Sequence, residues 1–62
     1  MLYRITYNYH GKKLTLDADD YDIIEDEFSI TLVAIRFGKD TKESIKYEIP
    51  FYNVIEIAPI RK

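Results

Sequence analysis

Side chains able to do chemistry are few in this chain. It has one histidine and no cysteine, which excludes a multi-histidine or thiolate metal site and a cysteine nucleophile. A serine nucleophile needs a neighbouring base, yet the single histidine, His10, precedes Gly11 in a predicted turn. The next glycine, Gly38, is too distant to complete a phosphate-binding loop. We therefore expect a non-enzymatic protein with no catalytic residue, no cofactor and no resident metal.

Acidic side chains are the one concentrated group. Residues 17–27 carry seven of them and no basic residue, whereas the rest of the chain has nine basic and four acidic residues. A calcium loop starting at Asp17 would need glycine at its sixth position and glutamate at its twelfth, where this chain has Asp22 and Phe28. The run is either a solvated face or a segment that docks on a basic protein surface, where it could imitate nucleic-acid phosphates. The residues of this docking segment are Asp17, Asp19, Asp20, Asp22, Glu25, Asp26 and Glu27.

Aromatic rings alternate with cations around the predicted turn. Bases stack on such rings while lysines contact the phosphate backbone, so single-stranded nucleic acid is an alternative ligand. The isoelectric point of about 5.2 speaks against a dedicated nucleic-acid-binding protein. The residues of this alternative platform are Tyr9, His10, Lys12 and Lys13.

Strand-forming residues dominate the elements that would position these side chains. Of the 62 residues, 25 are Ile, Val, Thr, Tyr or Phe, which suit pleated strands. Residues 1–62 are therefore expected to form a single small all-β domain. Closing the first hairpin at His10-Gly11 pairs Tyr7 with Leu14, and on the other face Arg4 with Asp17. One register thus satisfies the apolar and the charged pairs together.

The remaining pattern predicts an antiparallel meander of five or six short strands, curled into a small barrel or left as an open sheet. Residues 21–24 favour a strand, although one helical turn within residues 19–26 also fits. A long strand is predicted over 28–37, followed by a polar turn at 38–42. Shorter strands follow over 44–49 and 54–58, each ended by a proline.

The strand predicted over 28–37 is apolar on both faces. A chain of 62 residues builds only a small core, so a second subunit is expected to cover one face in a homodimer or a higher assembly. Tyrosines are enriched at protein interfaces. The predicted protein-interface residues are Val33, Ile35, Phe37, Tyr9, Tyr21 and Tyr52.

These features predict a small protein-binding module that inhibits or modulates a larger host or cognate protein. In size, charge segregation and lack of catalytic groups, the chain is similar to the accessory proteins that phages and mobile elements use to block host proteins. The alternatives are a small barrel that binds single-stranded nucleic acid and a structural subunit that joins an assembly through a sheet edge. No stretch has the pattern of a signal peptide or a membrane span, so a soluble cytoplasmic protein without a membrane partner is expected.

Overall fold

Six antiparallel strands make up the fold, and the computed structural model describes residues 2–38 and 43–60. The strands form two three-stranded sheets, one ordered β2-β1-β6 and the other β3-β4-β5. The sheets do not close into a barrel, so the all-β meander is confirmed in its open form. The elements are β1 (Leu2–Tyr9), β2 (Lys12–Ala18), β3 (Asp20–Glu25), β4 (Ile30–Phe37), β5 (Ser44–Pro50), a 3-10 turn (Phe51–Asn53) and β6 (Val54–Ile60).

The first hairpin has the predicted register in every pair, from Tyr3 opposite Ala18 to Tyr9 opposite Lys12. His10 has φ 49° and Gly11 has φ 80°. Positive φ at both central residues defines the type I′ turn, whose twist matches that of the two strands. The hairpin prediction is therefore confirmed down to its turn.

The helical alternative within residues 19–26 is wrong, because Asp20–Glu25 form strand β3. Asp19 lies at the corner where the chain leaves one sheet and enters the other. Its backbone N–H donates to the Ile35 carbonyl at 2.9 Å, and its carboxylate accepts a hydrogen bond from the Phe37 N–H at 2.8 Å. These two hydrogen bonds attach Asp19 to the end of β4. They keep the backbone extended at the corner between the two sheets.

Strand β4 begins at Ile30 rather than at Phe28. Residues 26–29 form a tight turn in which the Asp26 N–H donates to the Ser29 carbonyl at 2.9 Å. The predicted long strand was two residues too long because alternation of apolar residues does not reveal where an aspartate closes a turn.

Strand β6 continues through Pro59 to Ile60, although the proline was predicted to end it. Pro59 lies opposite Tyr3 at the edge of its sheet, where a missing N–H is tolerated. Pro50 does end strand β5, as predicted. The predicted turn at 38–42 lies largely outside the described residues, but the Gly38 N–H donates to the Glu43 carbonyl at 3.2 Å.

The core lies between the inner faces of the two sheets. The first sheet contributes Ile5 and Ala18, and the second contributes Leu32, Ala34 and Ile49. Ile5 and Leu32 are the largest fully buried side chains of the described residues, and each belongs to the central strand of its sheet. The core is therefore centred on the two strands that have neighbours on both sides.

Candidate binding surfaces

The predicted interface on β4 lies on the outer face of its sheet. Val33 is already buried within the chain at 7% exposure, whereas Phe37 is 60% exposed and Ile35 is half-buried. Ile24 of β3 is exposed on the same face, a residue that sequence reasoning did not include. We call Ile24, Val33, Ile35 and Phe37 the outer-face stripe. Its accessible part is at the two ends, Ile24 and Phe37.

The three tyrosines of the predicted interface have different surroundings. Tyr9 and Tyr52 are exposed. Tyr21 packs against the core, and its ring meets that of Tyr3 edge to face at 4.9 Å between centroids. Tyr9 and Tyr52 are therefore the members of the set with most of their surface available to a partner.

A cleft of about 650 Å³ separates the tip of the first hairpin from β5. It is lined by residues 7–10, Leu16, residues 46–50 and Asn53. The Tyr9 and His10 rings meet at 4.2 Å within it. Lys12 and Lys13 do not line the cleft, and as neighbours on a strand they project to opposite faces. The structure thus brings together only half of the nucleic-acid platform that the sequence predicts.

Most of the acidic segment has a local structural role. Asp17 accepts hydrogen bonds from Arg4 Nε at 2.9 Å and from Arg4 Nη2 at 3.2 Å. These bonds hold the pKa of the Asp17 carboxyl below its usual value and raise the pKa of Arg4. Both side chains are exposed, so the pair mainly favours the hairpin register over a slipped one.

Two further aspartates protect a sheet edge. Asp20 accepts a hydrogen bond from the Tyr21 N–H at 2.8 Å, and Asp22 accepts one from the Ile23 N–H at 2.9 Å. Both lie on β3, which has a partner strand on one side only. Charged side chains that occupy backbone donors discourage another chain from adding to such an edge.

Asp26 holds the turn between β3 and β4. Its Oδ1 accepts hydrogen bonds from the Phe28 N–H at 2.8 Å and the Ser29 N–H at 2.9 Å, and both carboxylate oxygens are within reach of Ser29 Oγ. The bonds from Phe28 and then Ser29 lower the pKa of Asp26. Aspartate is favoured at the first position of a turn because its carboxylate accepts hydrogen bonds from the backbone N–H groups that follow.

Acid is expected to weaken the fold through Asp26 and Asp17. Folding lowers both pKa values from 3.8, so their stabilisation is complete above that value and is lost as pH falls through the folded-state pKa. We expect the urea midpoint, followed by circular dichroism, to be flat from about pH 7 to about pH 5 and to fall below about pH 4. Asp26→Asn should reduce this fall, whereas Glu56→Gln, an exposed control on β6, should not. Equal acid sensitivity in both variants would contradict the assignment.

A second groove, of about 660 Å³, lies beside the C-terminal end of β5. It is formed by residues 25–31 around the β3–β4 turn and by residues 50–52 at the start of the 3-10 turn. Phe28 at the turn is 94% exposed and Tyr52 is 86% exposed. We call this surface the aromatic groove. Sequence reasoning missed it because its two halves are about 20 residues apart along the chain; the only local signal was a phenylalanine two positions after a turn-forming aspartate.

No protein-family model matches the chain, and no curated protein or solved structure shows significant similarity to it. Within residues 2–38 and 43–60, no group of three His, Asp or Glu side chains is placed to hold a metal ion. The same residues include no helix long and apolar enough to cross a membrane. The exposed surfaces of the described residues are therefore the basis for proposing a function.

Proposed function

We propose that this protein is a non-enzymatic protein-binding module that inhibits or modulates a larger protein. One observation carries the proposal: six apolar residues are buried, whereas twelve large apolar or aromatic side chains of the described residues are exposed. Exposed surface of this kind is typical of proteins that bury it against a partner. The proposal extends to action in the cytoplasm as a phage- or mobile-element accessory protein, which size and charge segregation support.

Self-association is part of the proposal. A 62-residue chain has a small core and gains stability when a second copy covers apolar surface. The exposed ends of the outer-face stripe, Ile24 and Phe37, are the surface offered to that copy. Addition at three of the four edge strands is less favoured, because Asp20 and Asp22 guard β3 and the edge strands β5 and β6 contain Pro50 and Pro59.

Light scattering at micromolar concentration is expected to give at least twice the 7.4 kDa mass of one chain. Phe37→Glu should weaken the assembly by roughly tenfold or more, because a charge would be buried in the apolar contact. Since Phe37 is exposed in the single chain, the substitution should leave the fold intact, as far-UV circular dichroism would show.

Ile55→Glu is the matched control, because Ile55 is exposed on β6 of the other sheet. Its mass should equal that of the wild-type protein. A single-chain mass for the wild type would reject self-association, and a mass unchanged by Phe37→Glu would reject the outer-face stripe as the contact.

Affinity capture with the tagged full chain tests the function itself. A defined larger protein should be retained, and its activity should change when the purified chain is added. Retention abolished by nuclease treatment would favour the nucleic-acid alternative through Tyr9 and His10. A wild-type chain that retains no protein would overturn the proposal.

A further inference from the structure

We propose that the aromatic groove binds a basic segment of the partner protein, in which arginine or lysine alternates with apolar residues. This inference rests on the proposed protein-binding function and adds the place of binding and the chemistry of the partner. Three properties of the groove favour such a segment: the exposure of its aromatic rings, the negative sign of its charge and the hydrogen-bonded backbone of its turn.

The aromatic rings of the groove are presented to solvent by the backbone. The hydrogen bond of 2.8 Å from the Phe28 N–H to Asp26 fixes the backbone of the turn, and the Phe28 side chain on it is 94% exposed. Phe51 and Tyr52 follow directly after Pro50, whose fixed φ begins the 3-10 turn. Aromatic side chains have only two χ angles to immobilise, and they are common anchors of protein interfaces.

The charge of the groove selects a basic partner. Among the described residues that line it, three are carboxylates and none is basic. Asp26 is occupied by the turn, but no side-chain hydrogen bond among the described residues involves Glu25 or Glu27. A guanidinium group can stack on an aromatic face and pair with a carboxylate at the same time. Glu25 and Glu27 beside Phe28 and Tyr52 offer that combination.

A different protein fits the groove better than a second copy of this chain. Among the described basic residues, Arg4 is paired with Asp17, and the charge of Arg36 acts on the same carboxylate. Lys46 lines the cleft at the hairpin. Lys12 and Lys13 project to opposite faces of β2, so they cannot enter one groove together. The basic segment is therefore expected to come from the larger protein.

The test uses a short fluorescein-labelled peptide in which arginine alternates with leucine, and a matched peptide with glutamate in place of arginine. Fluorescence anisotropy should show binding of the first peptide only. The double variant Glu27→Lys/Phe28→Ser should lower its affinity by roughly tenfold or more, the usual loss at an interface anchor. It keeps Asp26, so the turn should stay folded.

The control double variant, Glu56→Lys/Ile55→Ser, reverses one charge and removes one exposed apolar side chain at adjacent residues of β6, away from the groove. It should bind the arginine peptide within about twofold of the wild type, as surface positions outside an interface usually do. Equal losses in the two double variants, or no binding of the arginine peptide by the wild type, would overturn the inference.

The capture experiment separates this inference from the function on which it rests. The Glu27→Lys/Phe28→Ser variant should fail to retain the protein that the wild type retains. Retention by the variant would overturn the groove while the protein-binding function stands, and no retention by the wild type would overturn the function. A lower light-scattering mass for the variant would assign the groove to a second copy and so also reject the inference.

Discussion

Leu32→Ala is expected to unfold a large part of the protein. Leu32 is fully buried on the central strand of its sheet, and such truncations cost about 2–5 kcal/mol because a cavity remains. A chain of 62 residues has a total stability of roughly 3–9 kcal/mol. Thermal unfolding followed by circular dichroism should show a midpoint lowered by about 10 °C or more.

Ile23→Ala is the matched control, because Ile23 lies opposite Leu32 in the β3–β4 register. It is 44% exposed, and its truncation should cost less than about 1 kcal/mol. Leucine and isoleucine have the same size, and the two residues lie opposite each other, so the two substitutions differ mainly in how deeply the truncated side chain is buried. Similar losses for both variants would show that the core is not centred on Leu32.

Gly11→Val is expected to destabilise the first hairpin by at least about 1–2 kcal/mol, the cost of the left-handed region for an L-residue. Gly11 has φ 80°, and a Cβ added there would meet no atom within 4 Å. The loss therefore comes from backbone conformation and not from a clash. Urea unfolding monitored by tyrosine fluorescence measures it.

His10→Asn should stabilise the first hairpin, whereas Gly11→Val should destabilise it. His10 has φ 49°, and asparagine adopts this conformation more readily than histidine, as its frequency before glycine in type I′ turns shows. A gain of about 0.5 kcal/mol is expected, of the size usual for better turn residues. Destabilisation by His10→Asn would mean that the contact between the Tyr9 and His10 rings outweighs the backbone preference.

The candidate surfaces were only partly predictable from the sequence. The acidic run was visible in the sequence, but the roles of its members were not: Asp17 pairs with an arginine, Asp19 fastens a corner and Asp26 closes a turn. The contacts of Asp17 and Asp19 are with residues distant in the chain, so the sequence does not separate these two structural carboxylates from Glu25 and Glu27. Phe28 was assigned to a strand, because alternation alone does not show where a turn ends and a strand begins.

The sequence by itself determined the small all-β fold without a disulfide, and the register of its first hairpin. That register is local: a two-residue turn joins two strands whose alternation permits one pairing, and a shift of one residue would turn every side chain to the wrong face. The tertiary structure alone decided that Val33 is buried, that Phe28 is exposed and that residues 25–31 meet residues 50–52. Those outcomes depend on contacts between residues distant in the chain, and a pattern of period two records which side of a strand is apolar but not what will cover it.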